Sequence, residues 1–138
     1  MDQAEPSAEV KEAVRHAARI RGEIITSFAQ IEFVLADIVV KCASRAEYKN
    51  VVARFPYKVE SRISAVTALV NAPGPLQKYK DEIVRVIDHL LSYSELRDFM
   101  AHGLVMLTPT VDKDPRLEYR MYRPQSNKML ALAPLKPT

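Results

Sequence analysis

From Ala8 to Ala43 the chain holds no proline and a single glycine, Gly22. Proline removes a backbone donor and clashes with the preceding turn, so a stretch without it is free to run as one helix. Apolar side chains recur there at Val14, Ile24, Ile25, Phe28, Ile31, Leu35, Ile38, Val39 and Cys42, with helical spacing clear from Ile24 onward. Pro6-Ser7-Ala8-Glu9 supplies a start, with Ser7 as cap and Glu9 in the acid-favouring first turn. A helix of about 35 residues would be ~50 Å long, more than the width of a small domain. It is expected to bend at Gly22 or to project its first turns towards another subunit. Residues 1–6 read as a flexible tail.

The remaining prolines and glycines divide the chain further. Residues 44–56 form a connection with a helical turn around Glu47–Ala53, and Pro56 suits the first position of a helix. A second helix is expected from Tyr57 to Asn71, and Pro73-Gly74-Pro75 stops it. A third is expected from Leu76 to Ala101, ended by Gly103. Beyond Gly103 the pattern changes to period two: Leu117, Tyr119 and Met121 alternate with Glu118, Arg120 and Tyr122. With Leu104–Thr108 and a turn over 109–115, this reads as a β-hairpin, and Lys128–Ala133 is a candidate third strand. The expected fold is mostly α, an up-and-down helical bundle over residues 1–103 with a C-terminal β-hairpin and tail over 104–138.

Composition excludes several classes. At 138 residues the chain suits one domain with a real core, and 48% hydrophobic with 27% charged residues is ordinary for a globular protein. One cysteine, Cys42, excludes an intramolecular disulfide and a cysteine-based zinc site. No apolar run reaches the ~18 residues of a membrane span. The polar, acidic start is unlike a signal peptide, so a cytoplasmic location with no membrane partner is expected. The net charge of +3 permits an anionic partner without requiring one. No glycine-rich phosphate loop and no G-x-S-x-G elbow occur, and His16, His89 and His102 form no metal-ligand pair. No cofactor and no metal are implied.

One stretch carries chemistry: Ser94-Glu95-Leu96-Arg97-Asp98-Phe99-Met100-Ala101-His102-Gly103. Histidine titrates near neutrality and can take and return a proton. Arginine is a permanent cation whose planar fork suits phosphate oxygens. Together they are a minimal kit for RNA cleavage: His102 helps the ribose 2′-hydroxyl attack phosphorus, and Arg97 stabilises the added charge. On an ideal helix a five-residue offset sets the two about 140° apart. They come side by side only where the helix unwinds near Gly103, or when a second subunit supplies another copy. The plainer alternative makes Arg97 a paired arginine and His102 a cation at the helix C-terminus. Glu32 falls in the apolar stripe of the first helix, and a buried carboxylate needs a partner. Arg97 is the obvious candidate, with Lys58 and Arg62 in competition.

These segments, Phe28-Ala29-Gln30-Ile31-Glu32-Phe33-Val34-Leu35, the helix from Lys58 to Val70 and Leu96–Gly103, resemble the HEPN superfamily over roughly residues 14 to 103. The resemblance implies an α-helical bundle that is commonly dimeric, marked by an arginine, four to six residues and a histidine, with a polar residue after the arginine. It implies a metal-independent endoribonuclease in a toxin–antitoxin, defence or RNA-processing role, with a composite site at a homodimer interface. Arg97 and His102 would be catalytic and Asp98 would support them, while Glu32, from its place in the apolar stripe, would anchor Arg97. RNA and a cognate antitoxin protein are the implied partners. The alternative is a catalytically silent helical module that binds a protein or nucleotide partner; a purely structural dimer through the long first helices is a third reading.

Lys58, Arg62, Arg120 and Arg123 are candidates for holding nucleic acid, the last two because they flank Tyr119 and Tyr122. The hairpin cations serve equally as guards on an exposed sheet edge. Lys41, Arg45, Lys49 and Arg54 read as a solvated face, Cys42 as a small core residue, and His16 as a surface residue.

Overall fold

The computed structural model describes residues 4–108, 116–124 and 130–134. Four helices, α1 (Ala8–Ala43), α2 (Val59–Asn71), α3 (Lys80–Ser92) and α4 (Ser94–His102), precede three strands, β1 (Leu104–Thr108), β2 (Arg116–Pro124) and β3 (Leu130–Pro134). The mostly α fold with a C-terminal antiparallel sheet is the class expected from the sequence. No helix of the described residues is long and apolar enough to cross a membrane. By contacts the chain divides into two compact units, Met1–Thr26 with Ser94–Thr138, and Ser27–Tyr93.

The first helix starts where its cap was expected: Ser7 Oγ accepts the Val10 N–H at 3.3 Å. It then runs unbroken for 36 residues, through Gly22. In the Ser27–Tyr93 unit its apolar stripe packs against α2 and α3. Leu35, Val39 and Cys42 meet Val66, Leu69 and Val70 of α2 and Ile87 and Leu90 of α3, all buried. The connection after α1 contributes Tyr48, from a short 3-10 helix over Ala46–Tyr48. Its buried ring needs a partner for the phenol, and the Leu76 N–H donates to the Tyr48 hydroxyl at 2.7 Å. The ring also explains Gly74. A Cβ there would stand 2.6 Å from the Tyr48 ring, so only glycine fits.

Two boundaries differ from expectation. The second helix begins at Val59, with Lys58 as N-cap, so Pro56 lies outside it and is buried. The expected third helix, Leu76 to Ala101, is three pieces: a 3-10 helix over Pro75–Tyr79, then α3, then α4. Tyr93 separates the last two, with φ −104° and ψ 11°. A side chain bonds the backbone just before the break. Ser92 Oγ donates back to the His89 carbonyl at 2.7 Å, a competition with the backbone ladder that apolar periodicity does not register.

In the other unit, β2 is the middle strand, paired antiparallel with β1 and with β3. Leu104 faces Arg120 and Val105 faces Tyr119 in one ladder; Arg120 faces Pro134 and Met121 faces Ala133 in the other. Pro134 thus lies on an edge strand, where a missing donor is tolerated. The hairpin is therefore a three-stranded sheet, with the third strand at 130–134. The turn over 109–115, the Lys128 position and the end tails lie outside the described residues.

Candidate functional site

The site builds outward from the buried face of α4. Phe99 and Met100 are fully or nearly fully buried, at 0% and 2% exposure. Arg97 lies beside that face and is half-buried, Asp98 is half-buried, and His102 is exposed. Arg97 Nη1 reaches Asp98 Oδ1 at 3.4 Å, an ion pair between neighbours along the chain. Asp98 and His102 are four residues apart, so they stand one above the other on the same side of the helix. The carboxylate of Asp98 is thus paired with Arg97 and one turn from His102. Among the described residues the His102 imidazole has no hydrogen-bond partner, so it is free to meet a ligand.

The helix does not unwind before Gly103. It is regular through His102, so Arg97 and His102 of one copy keep the ideal offset of about 140° and a rise of about 7.5 Å. Within a single copy the two side chains project in different directions.

The end of α4 is held by a residue that the sequence reading passed over. Arg21 of α1 donates from Nε to the Met100 carbonyl and, at 2.9 Å, from Nη2 to the Gly103 carbonyl. The last carbonyls of a helix have no partner within it, and Arg21 supplies one for Met100 while pinning the residue after His102. The Gly103 N–H closes the end by donating to the Phe99 carbonyl at 2.7 Å. A Cβ on Gly103 would press on that same oxygen, so close approach, and not a left-handed φ, selects glycine there. A signal for Arg21 existed. It lies four residues after Ala17 and three before Ile24, on the stripe that faces inward, the same reasoning that drew attention to Glu32.

The other candidates have defined places. Glu32, in the Ser27–Tyr93 unit, is half-buried; the sequence reading expected a buried carboxylate, but no buried polar side chain occurs among the described residues. Arg62 donates from Nε to the Pro56 carbonyl and from Nη1 to the Glu32 carbonyl, both at 3.0 Å, and lies over the Phe55 ring at 5.8 Å. Its guanidinium joins α1, α2 and the connection between them, so it serves the fold. Arg120 pairs with Glu118 at 3.0 Å on one side of β2, and its buried Nε has no hydrogen-bond partner among the described residues. Lys58 is exposed, and the Arg123 side chain lies outside what the structure describes. His16 and His89 are both exposed. Among the described residues no group of three or more His, Cys, Asp or Glu side chains is placed to hold a metal ion.

Burial pushes the Cys42 thiol above its ordinary pKa, against a smaller lowering by the Arg45 charge. It is a core residue, 6% exposed, and not a nucleophile at neutral pH. Comparison with protein-family models, with curated proteins and with solved structures finds no match for this chain.

Proposed function

We propose that the protein is a metal-independent endoribonuclease of HEPN type whose active site is completed by two copies of α4 in a homodimer. One observation carries the reading: an exposed His102 at the end of a helix whose preceding turn holds the Arg97–Asp98 ion pair. His102 takes the proton of a ribose 2′-hydroxyl as that oxygen attacks the adjacent phosphorus. Arg97 stabilises the charge that gathers on the phosphoryl oxygens, and Asp98 keeps the arginine oriented. The bond to the 5′-oxygen breaks, that oxygen takes up a proton from solvent water, and His102 gives its own proton back to solvent. The products are a 2′,3′-cyclic phosphate and a 5′-hydroxyl. The divergence of Arg97 and His102 on a regular helix favours a second copy, because a two-fold axis can oppose the Arg97 of one copy to the His102 of the other. The setting is cytoplasmic, with RNA as substrate and a cognate antitoxin protein as the regulator.

A second reading, a catalytically silent helical module that binds a protein, draws on a different observation. Phe33 is 70% exposed on α1, and Val40, seven residues on and on the same side of the helix, is 54% exposed. Incubation of total RNA with the protein in EDTA separates the two. The nuclease yields fragments with cyclic-phosphate ends, and His102→Ala yields none. A folded wild type that leaves RNA intact under these conditions supports the binding module instead.

A further inference from the structure

We infer that the cleft between the C-terminal part of α1 and the 44–58 connection is a binding site for a small amphipathic anion, a carboxylate with a hydrocarbon body. The cleft lies wholly within the Ser27–Tyr93 unit and encloses about 360 Å³, within the range of ligand sites in proteins. Its walls are Val39 and Val40 of α1, Val52 and Phe55 of the connection, and Leu69 of α2. Val40 and Phe55 remain 54% and 39% exposed, an apolar surface that an alkyl chain would cover.

Charge settles which end of a ligand belongs at the mouth. Lys49 and Arg54 line the cleft, and no acidic residue does. Nearby cations are already neutralised, Lys41 by Asp37 at 2.7 Å and Arg45 by Glu47 at 3.3 Å. Among the described residues the side chains of Lys49 and Arg54 make neither an ion pair nor a hydrogen bond. Two unneutralised cations above an apolar floor complement a head bearing one negative charge. Asn50 is the only lining side chain with an amide, so little is present to read a sugar or a base, and a hydrocarbon body fits better than a nucleotide.

The backbone fixes where Lys49 leaves the chain. Lys49 has φ −57° and ψ 128°, Asn50 has φ 69°, and the Val51 N–H donates to the Tyr48 carbonyl at 3.1 Å. These are the features of a type II turn, with Lys49 and Asn50 at its two central positions. Asn50 is the only non-glycine residue with positive φ among those described. The turn is anchored by the buried Tyr48, whose hydroxyl is held by Leu76. Behind the lining, the Arg62 guanidinium lies over the Phe55 ring at 5.8 Å.

The test is a titration with decanoate, followed by methyl and amide NMR shifts, beside decanol and decyltrimethylammonium. Decanoate is expected to bind with a sub-millimolar Kd and to shift Val39, Val40, Asn50 and Leu69. Decanol is expected to bind about tenfold more weakly, consistent with losing two partly solvated charge contacts, and the ammonium amphiphile more weakly still. Lys49→Gln with Arg54→Gln, both on exposed positions, should bring decanoate down to the level of decanol. Ala53→Trp, which fills the mouth, should abolish the shifts in a protein of unchanged circular dichroism. Equal binding of all three amphiphiles, shifts outside the cleft, or no binding of decanoate would each overturn the proposal.

Discussion

At the scale of single residues, the fold depends on a few side chains that reach backbone atoms. Arg21 is the clearest, because its two bonds fix the carbonyls on either side of His102. Arg21→Ala leaves those oxygens without their partner, and a hydrogen bond to a charged donor contributes about 1.5–3 kcal/mol. The expected result is a lower unfolding midpoint in urea and faster amide exchange at the end of α4. Arg21→Lys should not restore it, since one ammonium cannot reproduce the fork. Gly74→Ala sets a methyl against the Tyr48 ring and should cost about 1–3 kcal/mol by the same measurement. Cys42 gives a pH-dependent expectation. A thiol whose pKa is raised by burial is stabilised in its protonated form by folding. That stability is fully present below the unfolded pKa and is lost as pH rises through the folded one. In native protein at neutral pH, Cys42 is therefore expected to react slowly with a disulfide reagent and rapidly once urea is added. A fast native reaction would place the thiol outside the core.

At the scale of elements, periodicity and punctuation made most of the fold legible. Ser7 as cap, α1 from Ala8 to Ala43 and the alternation in β2 follow from spacing and residue type. Ser7→Ala is expected to lower helix content at the start of α1, at a cost of about 0.5–1 kcal/mol, visible as faster exchange of the Val10 amide. The break at Tyr93 was not legible. The apolar stripe runs on through Leu90, Leu91, Ser94 and Arg97, and the serine that competes with the ladder is indistinguishable from an exposed helical serine. The partners of Arg21 and Arg62 were hidden for a related reason. Both bind carbonyl oxygens, which every residue possesses, so no side-chain pairing rule points to them. Arg62→Ala is accordingly expected to destabilise the fold, whatever it does to RNA affinity, because it releases the Pro56 and Glu32 carbonyls. In the candidate site, the order of the residues stands in the sequence and their geometry does not. Arg97, Asp98 and His102 could be named from their order, but whether the helix stays regular to His102 depends on how Phe99, Gly103 and Arg21 close its end.

At the scale of the whole molecule, the regular helix and the outward His102 have a joint consequence. In the proposed site a second copy brings Arg97 to His102, so activity should depend on association. Specific activity is expected to fall on dilution below the dimer dissociation constant, in step with the loss of dimer seen by sedimentation. The proposed function is RNA cleavage by Arg97 and His102 without a metal. Its most direct test is the single-turnover rate of RNA cleavage in EDTA, with wild type, Arg97→Ala and His102→Ala side by side. On the proposed mechanism, His102→Ala is expected to lower the rate by about 10²–10⁴-fold, and Arg97→Ala by about 10²–10³-fold, with both variants folded. Wild-type cleavage that survives both substitutions, or that stops when EDTA is added, would contradict the account.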